Sequence, residues 1–518
     1  MMERKISRLM LAFLAFGLMG IHGECRAENE ALEHLIRLFE QKGLLSTSEA
    51  QFTREKLAEE QQKSMKMEKE LDEKEADLIR RERELDKRED TLRQRLATGS
   101  EPFKGSEEVV APSSEKKAAI TYDDGLVIGT YEPYQFSLAL GGLFQGDYRH
   151  FDYGEADSNK NKFDIRRSRL IVKGRALKYF EYKFQYEFQG AGSRNLLDAY
   201  ADVHALEVAS FRIGQFKEPF SLELATEVRN RIFAEPSMGF YLTPNRDVGL
   251  MAHGSLWADT INYGIGIFNG DGLDDTAGGD VDSPQVTGRM VVAPFRSSSI
   301  PLLEYLQFGG SFSYANADRN NVRINLTTAG LTTFFEVASA AKFRIIREVD
   351  SASRYGGELG WAFGPFALMA EYIRFDFKDV RTSAERFDIE LRDYYVAALW
   401  MITGERPSFR HGVFQPIEPE RNLFQGGWGA LGLAFRYDSF EANEEVYDVL
   451  VTSGDSVRKV EAYSVALNWY LNAFARLIVD FTRSNFDVPL LIFRDPLTGT
   501  AVFSDHESVL TGRFQFQF

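Results

Sequence analysis

From Ser508 to Phe518 the chain alternates with a period of two. Leu510, Gly512, Phe514, Phe516 and Phe518 fall on one face of a strand; Thr511, Arg513, Gln515 and Gln517 fall on the other. Such a strand needs an apolar medium on one side and water on the other. Lipid outside and a wet lumen inside supply both, and that is the condition of a membrane-spanning β-barrel.

The opposite end of the chain begins like an exported precursor. Arg4, Lys5 and Arg8 precede an apolar stretch from Leu9 to Ile21, too short for a spanning helix. The small residue Ala27 follows Cys25-Arg26, so residues 1–27 are read as a signal peptide. Cys25 is the only cysteine, and its removal leaves a chain with no disulfide, cysteine metal site or cysteine nucleophile. No later run of about 18 apolar residues exists to form a helical span. The chain nevertheless carries 42 Phe and 21 Tyr at a mildly polar mean hydropathy. Half-apolar strands reconcile the two, because outward aromatics average against inward charges.

Residues 28–97 are read as a periplasmic helical segment. Leu71, Leu78, Leu85 and Leu92 recur every seventh residue in a run rich in Glu, Lys, Arg and Gln, which is coiled-coil spacing. Residues 98–124 lack periodicity and carry Gly, Ser and Pro, the composition of a linker. From 125 to 518 the period-two pattern returns repeatedly. It is clearest where Phe180, Tyr182, Phe184, Tyr186 and Phe188 alternate with Glu181, Lys183, Gln185, Glu187 and Gln189. Short turns such as Gly364-Pro365 alternate with long polar segments such as 269–284, 318–332 and 403–426. That length accommodates about 16 antiparallel strands, wide enough for an aqueous channel. The expected fold is therefore an all-β transmembrane barrel preceded by an α-helical coiled coil.

Several segments resemble the phosphate-selective porin O and P family of Gram-negative outer membranes. They are Phe163-Asp-Ile-Arg-Arg-Ser-Arg-Leu170, Phe211-Arg-Ile-Gly-Gln-Phe-Lys-Glu-Pro-Phe-Ser-Leu-Glu223, Asn245-Arg-Asp-Val-Gly249, Gly364-Pro-Phe-Ala-Leu-Met-Ala-Glu-Tyr372 and Asn468-Trp-Tyr-Leu-Asn472, in family order. Phe518 likewise resembles the C-terminal signature of outer-membrane barrels. The resemblance implies a sixteen-stranded homotrimer in the outer membrane that passes small anions, phosphate or polyphosphate among them.

An anion channel needs fixed positive donors along its lumen, and arginine suits this because its planar fork matches phosphate oxygens. Arg167, Arg169, Lys173 and Arg175 share one strand face, with Lys183 on the next strand and Arg212 opposite Phe211 and Ile213. The segment 217–245 exceeds a turn and carries Arg229 and Arg231, with Arg246 just beyond; folded inward, it would narrow the pore. These nine cations are the candidate pore-lining and anion-binding residues. Against them, residues 125–518 hold 39 Lys and Arg but 50 Asp and Glu, so a general-diffusion porin is the alternative. A further alternative makes the barrel an anchor whose coiled coil holds peptidoglycan. No nucleophile motif, zinc motif or phosphate-cradling loop is present, so neither enzyme nor cofactor is expected. The expected partners are small anions, outer-membrane lipid and lipopolysaccharide, and two further copies of the chain, with no nucleic acid.

Overall fold

A computed structural model of the chain describes residues 119–122, 126–129 and 136–518. Within the last range it omits 154–160, 190–194, 271–283, 317–323, 338–347, 447–455, 495–500 and the positions 178, 205, 207, 299, 383 and 384. The signal peptide and coiled coil lie outside the described residues, as do the linker as far as 118 and the acidic segment at 271–283.

Sixteen strands close into one antiparallel barrel. They are β1 (Ser137–Asp152), β2 (Lys162–Ala176), β3 (Phe180–Glu187), β4 (Leu196–Val203), β5 (Ser210–Lys217), β6 (Arg246–Leu256), β7 (Ile261–Phe268) and β8 (Gln285–Val292). They continue as β9 (Gln307–Asn316), β10 (Ser351–Phe363), β11 (Phe366–Arg381), β12 (Arg386–Met401), β13 (Ala430–Ala442), β14 (Lys459–Tyr470), β15 (Ala475–Arg494) and β16 (Ala501–Gln517). Each pairs with its sequence neighbour, and β16 pairs with β1 from Ser508↔Asp152 to Gln517↔Leu143. Closure leaves no edge, as lipid requires. A hairpin of Ala119–Tyr122 and Leu126–Gly129 extends the sheet against the start of β1. The seam is tight at Gly142. Its N–H donates to the Phe518 carbonyl at 2.9 Å, and a Cβ there would lie 2.6 Å from the Phe518 ring.

Outward and inward faces follow the alternation. Phe180, Phe184 and Phe188 are exposed on the outer wall, while Gln185 and Glu187 are buried inside. The wall is uneven in height. Strands β3, β4, β5, β7 and β8 have eight residues each; β11 and β12 have 16, and β15 has 20.

The tall wall changes character part-way up. In β12, Trp400, Ala398, Val396 and Tyr394 point outward, then Arg392, Glu390, Asp388 and Arg386 take the same face. Inward, the sense is reversed: above Asp393 come Leu391, Ile389 and Phe387, all buried. Strand β11 does the same at Tyr372 and Arg374, with Ile373, Phe375 and Phe377 buried within. Tyr372 and Tyr394 stand directly opposite each other, and Tyr394, Tyr437 and Tyr463 form a row with ring centroids 5.9 and 5.1 Å apart. Aromatics at one level mark a membrane interface. At about 3.4 Å per residue and a tilt of about 40°, the outward apolar run from Ile402 to Tyr394 spans roughly 20 Å, close to the band of about 25 Å in such barrels. Above the tyrosines the sheet obeys the rule for water-soluble protein, polar outside and apolar inside. Its core is completed by the hairpin Ile324–Thr327 and Thr333–Val337, whose Phe334 and Phe335 rings pack 5.2 and 5.6 Å from Phe440.

Short connections such as 364–365 and 471–474 sit at one rim, and long ones such as 218–245, 317–350 and 443–458 at the other. The segment 402–429 departs from this scheme. It lies at the rim of short turns and folds inward, burying Phe409 and Phe414 and bringing the Phe414 N–H to the Thr226 hydroxyl.

Candidate functional site: a loop across the lumen

Residues 218–245, between β5 and β6, cross the inside of the barrel. A loop seldom enters a protein interior, because its backbone N–H and C=O groups need partners there. Here the inner wall supplies them. Glu371 on β11 accepts from the N–H groups of Leu222 and Glu223 at 2.8 and 2.7 Å. Asp438 on β13 accepts from Met238, and Asp480 on β15 from Ala234, both at 2.9 Å. Carbonyls are met by donors: Asn468 to Ile232 at 3.0 Å, Arg436 to Glu235 at 3.2 Å, Gln515 to Arg229 at 3.0 Å and Arg354 to Leu242 at 2.9 Å. Strands β10 to β16 thus hold the loop chiefly by its main chain.

Glu235 is the side-chain anchor. Its carboxylate lies 2.9 Å from Arg149 on β1, 2.8 Å from Arg166 and 3.7 Å from Arg167 on β2, and 2.7 Å from Arg513 on β16. Asp147 ties the same cluster, 2.9 Å from Arg149 and 2.7 Å from Arg513. Two adjacent arginines reach inward because the ladder slips there. Gln145 faces Arg167 while Gly146 faces Ile165, so Arg166 is the extra residue of a β-bulge. Burial alone would raise the Glu235 pKa; Arg513, Arg166 and Arg167 outweigh it and hold the carboxyl well below the usual range.

The short wall faces the loop differently, mainly through pairs of side chains. Arg169 meets Glu187 at 2.6 Å, Arg246 meets Asp198 at 2.7 Å, and Arg212 meets Asp202 at 2.6 Å. Lys183 lies between Asp198 at 3.1 Å and the loop's Glu227 at 3.4 Å. Lys173 is directly opposite Lys183 in the ladder, and Arg175 donates to Glu181 near the rim. Lys183 above all, then Lys217, Arg229 and Arg246, hold the Glu227 carboxyl well below its usual range. Only a few loop groups touch this side, among them Glu227, Glu235 and the Thr226 carbonyl, which accepts from Lys217 at 3.2 Å.

The nine candidate cations therefore divide. Lys173, Arg175, Lys183 and Arg212 line the short wall or its neighbour β2 with part of each side chain exposed. Arg167, Arg169 and Arg246 are largely covered and paired with Gln145 or carboxylates. On the loop, Arg229 is half-buried, while Arg231 is buried with its guanidinium 4.3 Å above the Phe240 ring. From Arg167 to Arg175 the inward face of β2 carries no acid of its own; Glu187, Asp198, Glu227 and Glu235 reach it from neighbouring strands and the loop. The loop anchors Glu235, Asp438, Asp480 and Glu371 had no place in the sequence reading. The strand acids could have been found from their inward parity, but Glu235 lies in a loop without a period.

A closed sixteen-stranded barrel with an apolar outer band and a loop folded across a polar lumen is a porin of the Gram-negative outer membrane. Comparison with known sequences makes this particular: the chain belongs to the phosphate-selective porin O and P family, whose sequence model matches residues 138–518. Porin O of Pseudomonas aeruginosa is similar at 25% identity over 425 residues, covering 76% of this chain and 92% of that one. Among solved structures, in-vitro folded OmpT of Vibrio cholerae covers 74% of this chain and 98% of its own, with TM-score 0.46 and 10% identity. The anion-selective porin from Comamonas acidovorans covers 74% and 100%, with TM-score 0.45 and 12% identity.

Proposed function

We propose that the chain forms a diffusion channel for small anions, phosphate among them, and that ions pass between loop residues 226–229 and the wall from β2 to β6. The observation that carries this is the asymmetry of the loop's attachment. Its main chain is sewn to β10–β16, so the space left for ions lies on the other side. That side carries Lys173, Arg175, Lys183 and Arg212 along the path. Arg167, Arg169, Arg229, Arg231 and Arg246 add to the field felt there. Fixed donors in a confined, low-dielectric lumen lower an anion's barrier more than a cation's. The reversal potential in a salt gradient across a planar bilayer is the test. An anion-preferring sign, followed by higher occupancy of the pore by phosphate than by chloride, supports the assignment. A cation-preferring sign ends it and leaves a general-diffusion porin.

The short wall favours a trimer. An eight-residue strand tilted by about 40° spans roughly 20 Å, with none of the reserve height of β11–β15, while its outer face stays apolar at Phe184, Ile213, Leu250 and Ile265. Neighbouring copies covering this side match the trimer that the family resemblance implies. Cross-linking in detergent should give a three-subunit band. The leucine heptad at 71, 78, 85 and 92 favours a periplasmic coil that ties the envelope together, since β1 begins at the rim of short turns, the periplasmic rim of such barrels. Deleting 28–113 should abolish co-sedimentation with peptidoglycan and leave conductance unchanged.

A further inference from the structure

Just above the tyrosine row, Arg374 and Arg392 stand directly opposite each other on the outer face of β11 and β12. The next level repeats the oddity with opposite sign, Asp376 opposite Glu390. Like charges directly across a ladder disfavour the pairing. The arrangement is held by contacts along and across the strands: Arg374 to Asp376 and to Glu390 at 2.8 Å, Arg392 to Glu390 at 3.2 Å. The acids thereby fix both guanidinium groups from above. Arg392 uses only its Nε in this way, and its two terminal nitrogens have no protein acceptor among the described residues. The Arg374 and Arg392 side chains are 36% and 45% exposed, beside tyrosines that mark where hydrocarbon ends.

We propose that Arg374 and Arg392 form a clamp for a phosphate monoester on a saccharolipid of the outer leaflet, the phosphorylated lipid A part of lipopolysaccharide. Three features fit this ligand. The height is that of a headgroup, the next outward-facing pair above Tyr372 and Tyr394. Two forks on facing residues, with Cβ atoms roughly 5 Å apart, can share one phosphate through paired donors. The sector is also the tall one, where the outer wall continues above the lipid as polar sheet and can stand among core sugars. The short wall offers no such collar, so the lipid contact is confined to the side away from the proposed trimer axis. The clamp depends on the barrel's place in the outer membrane and not on which ion the lumen passes.

The test uses full-length protein refolded in detergent without lipopolysaccharide. Native mass spectrometry would score adducts with bisphosphorylated lipid A and with the same lipid dephosphorylated. The unmodified protein should prefer the phosphorylated form by about tenfold or more. The double variant R374Q/R392Q should lose that preference while heat-modifiable migration and single-channel conductance stay unchanged. Should the double variant fold poorly, R392Q alone should lose most of the preference, since its terminal nitrogens are those left to the ligand. Equal binding of the two lipids, or an undiminished preference in the variants, would overturn the clamp. Displacement of the lipid by millimolar inorganic phosphate would identify a site for the free ion and overturn the lipid assignment.

Discussion

The two sides of this barrel grip the same loop by different chemistry. From β10 to β16 the wall offers carboxylates to backbone N–H groups and amides or guanidinium groups to carbonyls, so charge there serves as scaffold. From β2 to β6 the charges largely pair with one another, and the loop meets them through Glu227, Glu235 and the Thr226 carbonyl. Residue type alone therefore does not tell a conducting charge from a structural one. Arg436 and Lys183 both point inward, yet one holds a loop carbonyl and the other pairs with the carboxylates of Asp198 and Glu227.

The strongest way to break this contrast is at Glu235, the one residue gripped from β1, β2 and β16 together. Glu235→Gln leaves Arg149, Arg166, Arg167 and Arg513 around a single carboxylate, Asp147. Breaking a buried ion pair on one side costs about 3–5 kcal/mol. Denaturant unfolding in detergent should register that loss, and single-channel conductance should rise as the loop comes off the wall. An unchanged conductance would mean the loop does not set the pore's width.

A charge reversal on the short wall should act on selectivity instead. Lys173→Glu with Lys183→Glu should shift the anion-to-cation permeability ratio by about tenfold, a typical scale for focused fields. Heat-modifiable migration should remain. On the tall wall, Asp480→Ala removes the acceptor of a buried N–H at a cost of about 1–3 kcal/mol. Noisier open-channel current with unaltered reversal potential is the expected record; a changed reversal potential would erase the distinction between the two walls.

The smallest effect on conduction belongs to the loop's root. Burial, with Asp247 adding to it, pushes the Glu218 carboxyl up to about 7, against hydrogen bonds from Thr287 and Gln285 and the charge of Arg354. An acid with a higher pKa folded than unfolded binds more protons when folded. Its contribution is thus complete below pH 4.5, its ordinary value, and declines as pH rises to about 7, staying level beyond. Glu218→Gln should flatten that part of the stability profile measured by denaturant midpoints between pH 4 and 8.

The barrel was legible because large side chains advertise a period of two, as from Phe180 to Phe188. Strand β4 carries no such signal: its outward residues include Ala199 and Ala201, too small to stand out against Asp198 and Asp202. The ends of the tall strands are hidden in the sequence for a related reason. In the sequence the alternation of large apolar residues with polar ones stops at Phe377 and resumes at Ile389, whereas β11 runs to Arg381 and β12 from Arg386. Outward charge resembled loop, although the sheet had only passed from lipid into water. The inward cations on β2, β3 and β5 were visible by parity. Their partners were not, because Glu187, Asp198 and Glu235 become neighbours only through ladder register and an inward-folded loop.

The seam between β16 and β1 has a consequence for biogenesis. It joins residues as distant as Gln145 and Gln515, whose side chains meet at 2.7 Å across a separation of 370 positions. Nothing shorter than the full run of strands can make that bond. A polypeptide that stops before β16 presents raw backbone on β1 and β15 to hydrocarbon, where each unsatisfied group costs several kcal/mol. Closure therefore doubles as proofreading: only a chain that reaches β16 can satisfy its backbone within the membrane.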